Sequence, residues 1–244
     1  MVNGTLEAGA SPAPLPLARR LIGVLTSTRE TYASIVAHPK FLGALLVTTL
    51  VTAIFATLPM TTEEGQNAAL EQQVRQMESF GMQVTDEIYA RMAEGKGRAP
   101  FTTAIAILIG SPVMAFIIAG ILFAIFNAAM GGDASYKQVL TVLTHAGVVS
   151  AVGQIFTGTL NYFRGAVTSA TNLGVLLPML DETSFVGKLA GMIDLIIIWW
   201  LFVLAIGLAV LYRRRTQPIA ITLFSIYAVI ALGFAAFMAG RGGA

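Results

Sequence analysis

The chain of 244 residues contains no cysteine, only two histidines, and charged residues at 11%. Without cysteine there is no disulfide framework, no thiolate nucleophile, and no redox compartment to read. His38 and His145 alone make a zinc site of ordinary composition a poor fit. No H-E-x-x-H and no phosphate-cradling glycine loop occurs, so the sequence reads as non-enzymatic, with no cofactor and no metal. A formal net charge of +2 is too small to point to nucleic acid.

What the chain has instead is apolar length. It is 56% hydrophobic with a mean hydropathy of +0.75, and it carries 24 glycines. Residues 41–58, 102–130, 139–160, 189–212 and 219–239 are long apolar runs, and Asp194 in the fourth is their only formal charge. A helix crossing the hydrocarbon core needs about 20 such residues, and lipid offers no partner to unpaired backbone groups. The expected fold is therefore all-α, a polytopic membrane protein built as a five-helix bundle. Its length allows one membrane domain, over 41–240, and no sizeable soluble one.

The flanking segments have distinct characters. Residues 1–14 are small and Pro-rich, and read as disordered. Residues 15–40 predict a cytoplasmic amphipathic juxtamembrane segment of two short helices, Leu15–Leu25 and Thr28–Ala37, lying in the headgroup layer with Arg19, Arg20 and Arg29. Ser27-Thr28-Arg29-Glu30 has the pattern of a capping box, and His38-Pro39 ends the second helix. Tyr32, Ile35 and Val36 share one face of it.

Arg19, Arg20, Arg29 and Lys40 precede the first apolar run, and Arg213-Arg214-Arg215 follows the fourth. Four crossings between them put both groups on one side, and the positive-inside rule makes that side cytoplasmic. The N-terminus is then cytoplasmic and the C-terminus extracytoplasmic, as are the 61–100 and 161–187 connections. In 61–100, Leu70, Val74, Met77, Gly81, Val84 and Ile88 repeat at heptad spacing. They predict an outer helix, or a hairpin broken at Phe80-Gly81, that packs on a second copy or caps the bundle. Within 161–187, the apolar Gly174–Leu180 interrupted by Pro178 reads as a re-entrant or interfacial segment. Gly131-Gly132-Asp133-Ala134 predicts a tight turn.

The order of these features resembles the bacterial branch of the Yip domain family, the Ypt/Rab-interacting membrane proteins. The likeness rests on Ile35 to Phe41 after a basic amphipathic lead, on Asn127 to Leu140 (NAAMGGDASYKQVL), and on Asp194-Leu195, Trp199 and Ala205 to Ala209. It implies five spans, a cytoplasmic N-terminus and a location in the bacterial inner membrane. Eukaryotic members are linked to Rab-type GTPases and vesicle traffic, but no motif for that binding carries over residue by residue.

Polar groups inside the spans are the functional candidates, because they are costly in lipid. They are Asn127, His145, Gln154 and Asp194, with Arg164 at the margin. Helical rise puts His145 and Asp194 about 16 Å apart in depth, too far to pair. Gln154 reaches the level of Asp194, and Arg164 or Lys188 could supply a counter-charge by snorkelling. The pair is either one structural hydrogen bond or an ion or proton site. His145 is expected to bond a backbone carbonyl or Asn127. Gly187-x-x-x-Gly191 and the Ala231, Ala235, Ala239 series allow close packing within the chain or with a second copy. One of Trp199 and Trp200 is expected to pack inward, and Pro112 to kink its helix. The primary reading is a scaffold or adaptor acting through membrane lipid, another copy of itself or another membrane protein. The alternative is a small transporter or channel at the Asp194 and Gln154 level, which leaves an ion or small-molecule substrate open.

Overall fold

The computed structural model describes residues 13–181 and 184–241, so the reading of 1–14 as disordered falls almost wholly outside the described residues. Eleven α-helices occur among the described residues: α1 (Leu17–Thr26), α2 (Thr28–Ala37), α3 (Leu42–Thr57), α4 (Glu63–Ser79), α5 (Asp86–Gly95), α6 (Ala99–Phe123), α7 (Tyr136–Arg164), α8 (Leu173–Leu176), α9 (Phe185–Met192), α10 (Leu195–Leu211) and α11 (Thr216–Arg241). Four helical stretches, Leu42–Thr61, Asp86–Ala128, Tyr136–Arg164 and Thr216–Gly240, are long and apolar enough to cross a membrane. Helix α10 is equally apolar but has only 17 residues.

Helix α7 is the axis of the bundle, packed against α1, α2, α3, α6 and α10. Its Val139, Val142, Ala146 and Val149 have no exposed surface, and they meet Leu204, Ala205 and Leu208 of α10 in one core. Glycines set how near its neighbours come. A Cβ on Gly158 would lie 2.1 Å from the Phe55 carbonyl oxygen, and one on Gly153 would lie 2.4 Å from Ile196. Trp200 packs against the core while Trp199 stays 38% exposed, so one tryptophan of the pair turns inward. Pro112 lies inside α6, whose helix runs unbroken through it.

At the basic end, α2 is fastened into the bundle rather than laid over it. Tyr32 and Ile35 are fully buried, and the Tyr32 ring lies where a Cβ on Gly207 would be. The expected capping box at Ser27 does not form: Ser27 is the N-cap, but its side chain accepts no bond from the helix. The Ser27 N–H bonds back to Gly23 and Thr28 Oγ1 to Val24, so the two helices are joined through the backbone of α1 instead. A complete capping box forms at Ser135 and Gln138, where α7 starts.

The stretch Asn127 to Leu140 now has a physical reading. Residues Ala124–Ala129 wind as a π-helix at the end of α6. Asn127 Nδ2 donates to the Ala134 carbonyl at 2.7 Å, and Tyr212 donates its hydroxyl proton to Asn127 Oδ1 at 2.7 Å. Gly131 takes φ 65°, a left-handed turn that glycine adopts without strain. A Cβ on Gly132 would lie 2.4 Å from the Tyr212 ring. Arg214 donates to the Met130 carbonyl at 2.6 Å, so the turns after α6 and α10 are tied together.

The far end is assembled differently. The heptad series does not form one continuous face, because the helix stops at Phe80 and Gly81 takes φ 81°. The result is a hairpin of α4 and α5. Leu70 is buried, Val74, Met77 and Val84 are half-buried, and Ile88 is exposed. Residues 161–187 contain the end of α7, an irregular connection, α8, and the start of α9.

Candidate functional site

The largest departure from the sequence reading lies at Asp194. The expected span 189–212 is broken: α9 ends at Met192, Ile193 is extended, and α10 begins at Leu195 with Asp194 as its N-cap. The freed backbone groups are paired across the break. Leu173 N–H donates to the Ile193 carbonyl and Leu195 N–H to the Thr171 carbonyl, with Asn172 and Asp194 in an antiparallel bridge. This satisfies the rule that irregular backbone at such a depth must find internal partners. Asp194 therefore stands at the end of α10, about 13 Å from its midpoint, rather than within a continuous span.

Its carboxylate is held by donors from three places. Ser169 Oγ donates at 2.6 Å to Oδ2, Thr171 Oγ1 lies 2.9 and 2.8 Å from the two oxygens, and the Ile196 N–H donates at 2.8 Å to Oδ1. The negative charge also sits at a helix N-terminus, where the peptide dipoles favour it. Tyr227 of α11 receives the Asp194 N–H at 3.4 Å and donates its own proton to the Met192 carbonyl, holding the break from the other side. Neither proposed cation reaches the carboxylate. Lys188 Nζ instead donates to the Met238 carbonyl at 2.8 Å, and Arg164 is exposed.

Gln154 lies near Asp194 but is not bonded to it. Both line a pocket of about 320 Å³ that also includes Ser150, Thr157, Asn161 and Thr171. Asn161 is nearly buried; its Nδ2 donates to the Thr168 carbonyl at 2.9 Å, while its Oδ1 has no partner. Sequence reading missed Ser169, Thr171 and Asn161 because hydroxyl and amide groups in a connecting segment give no periodic signal. The available signal was an aspartate directly before an apolar run, which is a helix-start pattern.

The other two candidates lie elsewhere. His145 precedes Gln154 by nine residues on α7, about 14 Å along the axis. Its Nδ1 meets the Thr141 carbonyl at 2.8 Å, one of the two partners expected, and its Nε2 is buried without one. Asn127 is the brace of the basic end, between α6 and α10. Gly191 backs onto α8: a Cβ on Gly174 would lie 3.2 Å from Gly191 Cα, so this contact is made within the chain. Gly187 is buried in α9.

Chemically the pocket is a set of oxygen acceptors and hydroxyls around one carboxylate. Among the described residues no three His, Asp or Glu side chains gather to hold a metal. No curated protein and no solved structure matches the chain. A family model of the Yip1 domain does match, over residues 22–238, from within α1 to near the end of α11. That match takes in nearly every helix of the bundle, the clamped Asn127 turn and the Asp194 break alike, and the chain belongs to the Yip1 domain family.

Proposed function

We propose that this protein is a non-enzymatic membrane adaptor with five spans, its basic end in the cytoplasm and its far end outside. Proteins of the family interact with membrane components and with Rab GTPases. The observation that carries the reading is the condition of Asp194. Its carboxylate is occupied by hydroxyls and a helix end, and toward the basic end the bundle axis is filled by Val142, Val149, Leu204 and Leu208. That packing fills the axis on the basic side of the pocket, and the carboxylate joins α10 to the connection after α7. The exposed apolar faces of α6 and α11 meet acyl chains, and the far-end hairpin and basic end are left for partners. Five spans follow if α10 crosses, since 17 residues is the lower limit for a span.

A second reading, a small transporter, draws on one observation. Ser150 lines both the Asp194 pocket and a groove of about 260 Å³ among α3, α6 and α7, which holds Thr48, Thr49, Ser111 and Thr144. All four of those hydroxyls are engaged. Thr48 and Thr144 bond carbonyls of their own helices, and Thr49 bonds Ser111 at 3.0 Å.

Flux measurement in proteoliposomes separates the two. The adaptor reading expects none, in the parent or in Asp194→Asn. A reproducible cation- or pH-driven flux, lost in a folded Asp194→Asn protein, would replace the first reading by the second. Single cysteines test the orientation on this cysteine-free chain: Gln66→Cys, Thr168→Cys and Arg241→Cys should react with an impermeant reagent from outside, and Thr216→Cys only from the cytoplasm. The last residues, 242–244, lie outside the described residues.

A further inference from the structure

The basic end holds a second pocket, of about 410 Å³, with three cations and no carboxylate in its lining: Arg20, Lys40 and Lys137, from three separate parts of the chain. Arg20 was expected on a segment lying in the headgroup layer, yet it is only 8% exposed. Its Nη1 donates to the Lys40 carbonyl at 3.3 Å, which fixes the guanidinium, and its Nε is buried with no partner. A buried, unpaired donor on a charged group is costly unless an acceptor completes it. Leu42 and Gly43, the first two residues of the 16-residue α3, line the same pocket. That helix has no side-chain cap, so the N–H groups of its first turn remain to be claimed, and the dipole there favours an anion.

We infer that this pocket binds a phosphate group, with Arg20 as the buried anchor, Lys40 and Lys137 as flanking charges, and the start of α3 as a source of N–H donors. Guanidinium and helix N-terminus are the two groups best suited to phosphate oxygens. The phosphate can come from an anionic phospholipid headgroup, beside which a membrane protein of this shape would carry the pocket, or from free phosphate. The site lies at the opposite end of the bundle from Asp194 and does not depend on the adaptor reading.

Detergent-purified full chain, followed by thermal unfolding, tests it with three additives: short-chain phosphatidylglycerol, short-chain phosphatidylcholine and inorganic phosphate. A saturable rise in Tm with phosphatidylglycerol and none with phosphatidylcholine is expected. Lys40→Gln and Lys137→Gln, both at exposed lysines, should each raise the half-saturating concentration about fivefold. Arg19→Gln, an equal loss of charge outside the pocket, should leave it unchanged. Arg20→Gln should abolish saturation; as Arg20 is buried and this variant can fail to fold, the two lysine variants are the deciding measurement. A saturable rise with inorganic phosphate, weakened by the same variants, identifies the free anion as a ligand, and a response to phosphatidylglycerol alone identifies the headgroup. Absence of a saturable rise with either, or equal weakening by Arg19→Gln, overturns the site.

Discussion

Helices α6 and α7 lie side by side and have opposite fates. Over 18 apolar residues of the α6 stretch, with mean hydropathy 2.5, 11% are buried, and over 18 of α7, at 1.7, 67% are. In water the order would be reversed, with the more polar helix outside. Lipid is as apolar as leucine, so apolar surface gains nothing by turning inward, whereas hydroxyls, amides and an imidazole gain partners there. Thr141, Thr144, His145 and Asn161 are all on α7 and all buried, while Phe101 and Ile109 of α6 are well exposed. Glycine follows the same division. On α7 it permits contact, and at Gly110 of α6 a Cβ would meet nothing within 4 Å.

The sharpest way to break this contrast is one methyl group on each helix. Gly158→Ala drives a Cβ against the Phe55 backbone and should cost about 1–3 kcal/mol or more, with a lowered unfolding midpoint in detergent. If it proved neutral, α7 would not be the tightly packed axis. The opposite change, Gly110→Ala, removes a flexible residue from an open face and should be neutral or stabilise by up to about 1 kcal/mol. Next in size is Asn127→Leu, which removes two hydrogen bonds at the junction of α6 and α7 and should cost about 1–3 kcal/mol. Loss of the same size in Tyr212→Phe, with little added by the double variant, would show that the two side chains act as one unit.

Smaller effects are expected at the far end. Asp194→Ala removes an N-cap and should cost about 0.5–2 kcal/mol, whereas Asp194→Asn retains an acceptor and should cost less. Equal losses would show that charge, not the cap, matters there. In the hairpin, Leu70→Asp should destabilise, and Ile88→Asp should change stability by no more than about 0.5 kcal/mol, since Ile88 is exposed. A strong effect at Ile88 would restore the continuous heptad face and imply that a second copy covers it.

The apolar runs and the tight turn at Gly131 were legible because both depend on local composition. The interior of the site was not. A helix break inside 189–212 leaves hydropathy unchanged, and its stability comes from pairing with residues some 20 positions earlier, such as Thr171. The Ser27 pattern suggested a cap that the geometry does not use, whereas the box at Ser135 uses glutamine and passed unread. Arg20 reads as a surface charge in any amphipathic projection. Its burial comes with the packing of α1 on α2 and α7 and with its bond to the Lys40 carbonyl, 20 positions on.

The π-helical stretch Ala124–Ala129 changes the phase of its helix. An α-helix turns about 100° per residue, and a π segment accommodates one residue more over nearly the same rise. A face that looks toward lipid through most of α6 is therefore out of step with the residues beyond Ala124, and Asn127 comes round to meet Tyr212. Deleting Ala128 would let this stretch relax to an ordinary α-helix and turn the amide away from Tyr212, without altering any side chain that contacts it. The junction is thus encoded in residue count as well as residue type, and one inserted or deleted position there would undo what most point substitutions leave intact.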